Sequence, residues 1–344
     1  MAWTVAHLLP DIFVSVLVLS LFLLGFCRDA LTRWERVYVF LLATGSASLH
    51  LSVAPVAAAV IGLGTLAWLA SYRRPEQRRQ IRPLLMALPL AAAIAGSLAV
   101  SFIIFGRVTL TPNSPPHFLS RILADGPGRR FLDETCPASG FELCNVRQSL
   151  PETEEGFLWV TLPSLPTAAG KRVKAEAAAL VASTIRAYPL DVASHMISNA
   201  ARQLVTFASA TEYPPADRRA AEQAGIPIAL ALAGTVQARD GFEAPALDRI
   251  NAAHFGVITL CAAASLGSLI ALLRRRLTRP AALLATVLTG LLSNAAFTGA
   301  VAGVFPRFEG RVIWLLPFAV MAAALALRNS RVAPVRTAEP AIAS

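Results

Sequence analysis

The stretch RRPEQRRQIRPLLMALPLAAAIAGSLAVSFIIF, residues 73–105, carries five arginines in its first ten positions and no charged side chain from Pro83 to Phe105. At helical rise the uncharged part reaches about 34 Å, enough to cross a hydrocarbon core of roughly 30 Å. A basic loop abutting such a run is the pattern of a cytoplasmic loop feeding a membrane span. The same pattern recurs along the chain. Ile12 to Phe26, Ala252 to Leu273 and Ala281 to Phe305 are also free of charge, and arginine clusters flank them at Arg28, Arg33 and Arg36 and at Arg274, Arg275, Arg276 and Arg279.

Composition agrees with this reading. Of 344 residues, 55% are hydrophobic and 15% charged, and the mean hydropathy is +0.57, outside the range of ordinary soluble domains. The net charge of +10 would suggest nucleic acid in a soluble protein. Its distribution excludes that explanation. The short loops and the tail hold fifteen bases against four acids, and the remainder holds sixteen bases against seventeen acids. Positive charge concentrated in short loops is a topological signal, not a nucleic-acid footprint.

Successive cytoplasmic loops are separated by an even number of crossings, so Val37 to Ser71 reads as a hairpin turning near His50, Ser52 and Pro55. The expected spans are Leu8 to Cys27, Val37 to Leu51, Val53 to Ala70, Pro83 to Phe105, Ala252 to Leu273, Ala281 to Val304 and Val312 to Leu327. The fold expected is an all-α integral membrane protein of about seven transmembrane helices. Residues 1–105 form a four-helix part, 106–251 a mainly helical extracytoplasmic segment, 252–327 a three-helix part and 328–344 a cytoplasmic tail. The location expected is a bacterial inner membrane, with the N-terminus outside. No cleavable signal peptide is visible, because the first residues lack a basic start and the apolar run leads straight into Arg28.

In the extracytoplasmic segment, Thr111 to Pro116 and Asp125 to Arg130 read as irregular from their Pro, Gly and Asp content. Ala175 to Ala187 reads as a helix, broken at Pro189 before a second, amphipathic one. In that second helix Leu190, Ala193, Ile197, Ala200, Leu204 and Phe207 recur at helical spacing against Asp191, His195, Asn199, Arg202 and Gln203. Two roles stand open for it, packing on its own subdomain or lying in the headgroup plane. Ile226 to Ala233 is too short to span and reads as buried core. Cys136 and Cys144 flank a short polar loop on the side expected to be oxidising and predict a disulfide.

No Gly-Lys-Ser/Thr phosphate loop, His-Glu-x-x-His, Gly-x-Ser-x-Gly or dinucleotide fingerprint occurs, and no metal or cofactor is implied. Position must therefore identify candidates. Asp11, in His-Leu-Leu-Pro-Asp-Ile-Phe, is an acid at the outer end of a span; it is either paired or wetted there, or a partner of the helix dipole. Arg307 and Arg311, with Glu309 between them, fall at the outer interface between the last two spans. They would clamp a phosphate headgroup or snorkel to lipid phosphates. Asn294 in the sixth span is placed to hydrogen-bond a neighbouring helix.

The Leu-Pro-Asp start of the first span, the hairpin around His50, the Tyr188-Pro189-Leu190 junction and the Arg307-Phe-Glu-Gly-Arg-Val-Ile-Trp314 stretch together resemble the later portion of the C-type membrane glycosyltransferases. Those enzymes take sugars from polyprenyl-phosphate donors on the extracytoplasmic face. The Cys136 to Cys144 loop is similar to that of uncharacterised bacterial multi-pass membrane proteins. The resemblance implies a carboxylate base acting on an acceptor hydroxyl, with arginines stabilising the departing lipid phosphate. It makes Asp11 the catalytic residue and His50, Arg307 and Arg311 the substrate-binding ones, with membrane lipid and a polyprenyl-phosphate sugar as partners. Such enzymes carry the catalytic carboxylate on a loop after a first span, whereas only ten residues precede Asp11. The expectation is therefore that the catalytic loop lies upstream of Met1 or that the chain is a non-enzymatic scaffold or small transporter component. Transport is weakened by the lack of charge deep within any span and of an inverted repeat.

Overall fold

Uncharged runs of Leu, Ala, Val and Phe satisfy their backbone internally only as helix when water is absent, and every element among the described residues is helical, without a strand. The structure is a computed structural model, and it describes residues 11–49, 52–110, 116–208 and 244–332. The bundle comprises α1 (Ile12–Phe26), α2 (Arg33–Leu49), α3 (Val53–Ala70), the short α4 (Pro75–Gln80) and α5 (Pro83–Phe105). A second set of helices, α6 (His117–Asp125), α7 (Pro127–Thr135), α8 (Thr167–Ala187) and α9 (Pro189–Val205), forms a cap. The chain then returns to the bundle through α10 (Ala244–Arg274), α11 (Thr278–Phe297), a π-helical turn Thr298–Ala302, α12 (Pro306–Gly310) and α13 (Leu315–Val332).

Among the described residues, five helical stretches are long and apolar enough to cross a membrane: Val53–Ala70, Pro75–Phe105, Asp248–Arg274, Thr278–Ala302 and Pro306–Ser330. α1 is shorter and equally apolar. α2 is not in this group, because it opens with Arg33, Glu35 and Arg36 and its polar start takes up the first turn. It nevertheless packs against α1 and α5 as a member of the bundle.

The bundle core runs through α1, α3, α10, α11 and α13, with Leu17, Leu21, Val60, Val287 and Leu316 almost fully buried. Small residues let the backbones approach, as in other membrane bundles. A Cβ at Gly25 would lie 2.4 Å from Met86 Sδ, and one at Gly64 would lie 2.6 Å from the same atom. Met86 of α5 therefore occupies space that two glycines, on α1 and α3, leave open. Outward, Ile103, Leu260 and Leu66 are exposed by 79%, 73% and 66%, a surface compatible with a lipid environment.

The cap has its own core of Leu119, Ile122, Leu132, Leu143, Phe157 and Leu180. Where irregular structure is expected, at Asp125 to Arg130, two helices meet. Gly126 takes φ +109° between them and Pro127 stands in the first turn of α7, a position where its missing N–H costs nothing. Cys136 and Cys144 lie at disulfide distance, 2.04 Å between sulfurs. The second amphipathic helix does begin at Pro189, but its faces are divided differently from the hydropathy reading. Asn199 and Gln203 are buried, while Leu190, Ile197 and Val205 are exposed by 84%, 71% and 64%. Ile226 to Ala233 and His50 lie outside the described residues.

Candidate functional site

The bundle has two chemically different ends. One gathers Arg28, Arg74, Arg82, Arg275 and Arg279; there the Arg82 amide donates to the Gly25 carbonyl, and Arg275 Nη1 donates to the Leu327 carbonyl and Ser330 Oγ. The other end carries the cap and a buried polar cluster built from residues far apart in sequence.

Arg311 is the centre of that cluster, 1% exposed. Its Nη1 donates to Asp11 Oδ1 at 2.6 Å, and its Nη2 to Ser52 Oγ at 3.0 Å and to Asn294 Oδ1 at 2.8 Å. Asn294 Nδ2 in turn donates to the Phe308 carbonyl at 2.6 Å and to Glu309 Oε2 at 2.9 Å. On the other side, Ser15 Oγ donates to the Arg311 carbonyl at 2.7 Å and accepts from Trp314 Nε1 at 3.0 Å. The cluster thus ties α1, the start of α3, α11 and the segment around α12 together. Two atoms in it are buried and, among the described residues, have no hydrogen-bond partner, Glu309 Oε1 and Arg311 Nε.

Local sequence explains the placement. The π-helical turn after α11 and Gly303, at φ +149°, end the span early and fold the chain back. The single turn of α12 begins at Pro306. This re-entry puts Phe308, Glu309 and Arg311 inside the bundle end and leaves Arg307 exposed. The Arg307 guanidinium lies 5.0 Å from the centre of the Phe308 ring. It is also close enough to His117 that, after burial, its charge helps hold that imidazole below the ordinary histidine range.

The cap docks onto the same turn. Gln203 brackets the Phe305 backbone, its Nε2 donating to the carbonyl and its Oε1 accepting from the amide, each at 2.9 Å. A Cβ at Gly299 would lie 2.5 Å from the Asn199 carbonyl, and one at Gly303 2.5 Å from Glu154 Oε1. A second polar network anchors this junction from within the cap. Arg121 Nη2 and Nε donate to both oxygens of Asp125 at 2.6 and 3.1 Å, its Nη1 donates to Glu154 at 2.8 Å, and Asn199 Nδ2 donates to Asp125 at 3.0 Å. Beyond Gln203, Phe207 stacks on Phe255 of α10 at 5.6 Å. The segment after α9 thus reaches α10 of the bundle.

Of the residues singled out in sequence, the structure unites Asp11 with Arg311, places Arg307 at the rim, and pairs Cys136 with Cys144 within the cap. Arg311 and Arg307 do not converge on one exposed site, because Arg311 is committed inward to Asp11. Glu309, Asn294, Ser52 and Ser15 complete the cluster. For Asn294 the signal was an amide in an uncharged span; Ser15 and Ser52 carried none. Glu154 and Gln203 were equally silent, since their partners Arg121 and Phe305 lie far away in the chain. Among the described residues no three His, Cys, Asp or Glu side chains are grouped as a metal site. Among the described residues the cluster holds one buried carboxylate oxygen without a hydrogen-bond partner, Glu309 Oε1, beside the Asp11–Arg311 ion pair. Comparison with protein-family models, curated proteins and solved structures finds no match.

Proposed function

We propose that the chain is a multi-pass protein of a bacterial inner membrane that acts on a lipid-borne sugar phosphate at the junction of bundle and cap. This is the activity of the polyprenyl-phosphate-sugar glycosyltransferases it resembles. The cap end is the extracytoplasmic one, with the N-terminus outside, the basic end cytoplasmic and the C-terminus inside. The observation that carries the reading is Glu309 Oε1, buried without a hydrogen-bond partner among the described residues, in a cluster adjoining a cap whose α9 leaves Leu190, Ile197 and Val205 exposed.

In this reading Arg307 meets the lipid phosphate, where a guanidinium matches the geometry of phosphate oxygens. A carboxylate of the cluster takes the proton of the acceptor hydroxyl. Asp11 is the residue the resemblance implies, yet its Oδ1 already accepts from Arg311. Asp11 therefore serves to hold Arg311, and Glu309 is the better-placed base.

The test is Glu309→Gln, which keeps an acceptor for Asn294, in proteoliposomes supplied with a polyprenyl-phosphate hexose and a hydroxyl-bearing sugar acceptor. Release of polyprenyl phosphate is expected to fall at least 100-fold, the scale of a lost general base, with thermal stability retained. Full release by the variant removes Glu309, and with it this reading of the junction.

A second reading, a non-enzymatic membrane scaffold, is favoured by the near-complete internal pairing around Arg311. Replacing Asp11 and Arg311 together by Leu and Met separates the two. A scaffold keeps assembly with its partners after the swap and shows no turnover before it.

A further inference from the structure

Resting on the topology proposed above but not on the sugar-transfer activity, we infer that the basic end contains a binding site for an anionic phospholipid, with the acyl chain held between α3, α10 and α11 and the phosphate at Arg279. A cavity of about 340 Å³ opens there, within the range of roughly 300–1,000 Å³ typical of small-molecule sites. Its walls are apolar, from Phe26, Leu63, Leu269 and Ala285, and its rim is polar, from Gln77, Gln80 and Arg279. That division is the one an amphiphile requires.

The surroundings specify the sign of the headgroup. Arg279 is exposed at the rim, and among the described ion pairs none involves it. Arg274, Arg275 and Arg276 immediately precede it. The short α4 closes the rim and is pinned by Arg78, whose guanidinium lies 3.8 Å from the centre of the Trp68 ring. A second cavity of about 450 Å³ shares Ile81 with the first and adds Arg28 and Arg82 beside Trp68 and Leu84. Basic pockets between membrane helices on the cytoplasmic side are where anionic headgroups bind. The apolar flanks at Leu66 and Leu273, exposed by 66% and 58%, give a chain access from the bilayer.

A bias toward arginine in cytoplasmic loops explains the number of these residues. It does not explain why one of them rims an apolar cleft. The distinction is testable by native mass spectrometry of the full chain in detergent with phosphatidylglycerol or phosphatidylcholine of identical acyl chains. Wild type is expected to retain phosphatidylglycerol about fivefold better, the effect of one arginine at an anionic surface. Arg279→Gln removes the preference, Arg274→Gln leaves it unchanged, and Ala282→Trp, which fills the cavity, lowers retention of both lipids. Glycerol phosphate without chains does not displace the lipid. Equal retention of the two lipids by wild type, equal effects of Arg274→Gln and Arg279→Gln, or displacement by glycerol phosphate would each overturn the site. If Ala282→Trp fails to fold, the exposed Arg279 position still decides.

Discussion

The two ends of the bundle use arginine in opposite ways. At the basic end guanidinium groups are numerous and largely exposed. At the cap end Arg311 is 1% exposed and bonded to Asp11, Ser52 and Asn294. The contrast teaches that charge count and charge function separate in a membrane protein. Many exposed arginines set orientation through small, additive effects. A single buried one sets the geometry of helix ends, because leaving it or its partner unpaired in a low-dielectric interior is costly.

The largest expected effect follows from that difference. Arg311→Met strands the Asp11 carboxylate and should destabilise the protein by about 3–5 kcal/mol, read as a lowered midpoint in detergent unfolding; adding Asp11→Leu should recover most of the loss. At the basic end, Arg276→Gln should stay within about 0.5 kcal/mol of wild type. Equal effects at the two ends would break the comparison.

Within the cap, Cys136→Ser with Cys144→Ser opens a short loop closed by a disulfide of sequence separation 8. The expected cost is about 2–3 kcal/mol, seen as earlier proteolysis of the cap with the bundle intact. Gly299→Val sharpens the junction, since its Cβ would meet the Asn199 carbonyl. It should cost about 1–3 kcal/mol and expose α9 to protease.

The smallest effect concerns pH. Burial, then the Arg307 charge, hold His117 below the ordinary histidine value, so the unfolded state binds its proton at higher pH than the folded state. Stability from the neutral imidazole is present above about pH 6.5 and is lost as pH falls through the lowered folded value. His117→Gln should flatten that acid-side decline in cap stability.

Much of the bundle was legible in the sequence because uncharged length and arginine clusters are local signals. Pro189 and the Cys136–Cys144 loop were legible for the same reason. The helices on either side of Gly126 were not, since Pro at a first helical turn and Pro in a loop look alike in composition. The orientation of α9 was misjudged by hydropathy because Asn199 and Gln203 are buried against Asp125 and the Phe305 backbone, partners that no local pattern reveals. Arg307 and Arg311 show the limit most clearly. They are the same residue four positions apart, and what separates them is Asp11, 300 positions away.

The account rests on the two ends facing opposite sides of a membrane. The direct measurement is labelling by a membrane-impermeant maleimide in intact cells, with Cys27 and Cys261 replaced by Ala and a single new thiol at Arg307→Cys or Arg276→Cys. Rapid labelling of Arg307→Cys, with Arg276→Cys labelled only after the membrane is opened, is the predicted result. Labelling of both thiols from one side, or of Arg276→Cys alone from outside, would contradict it.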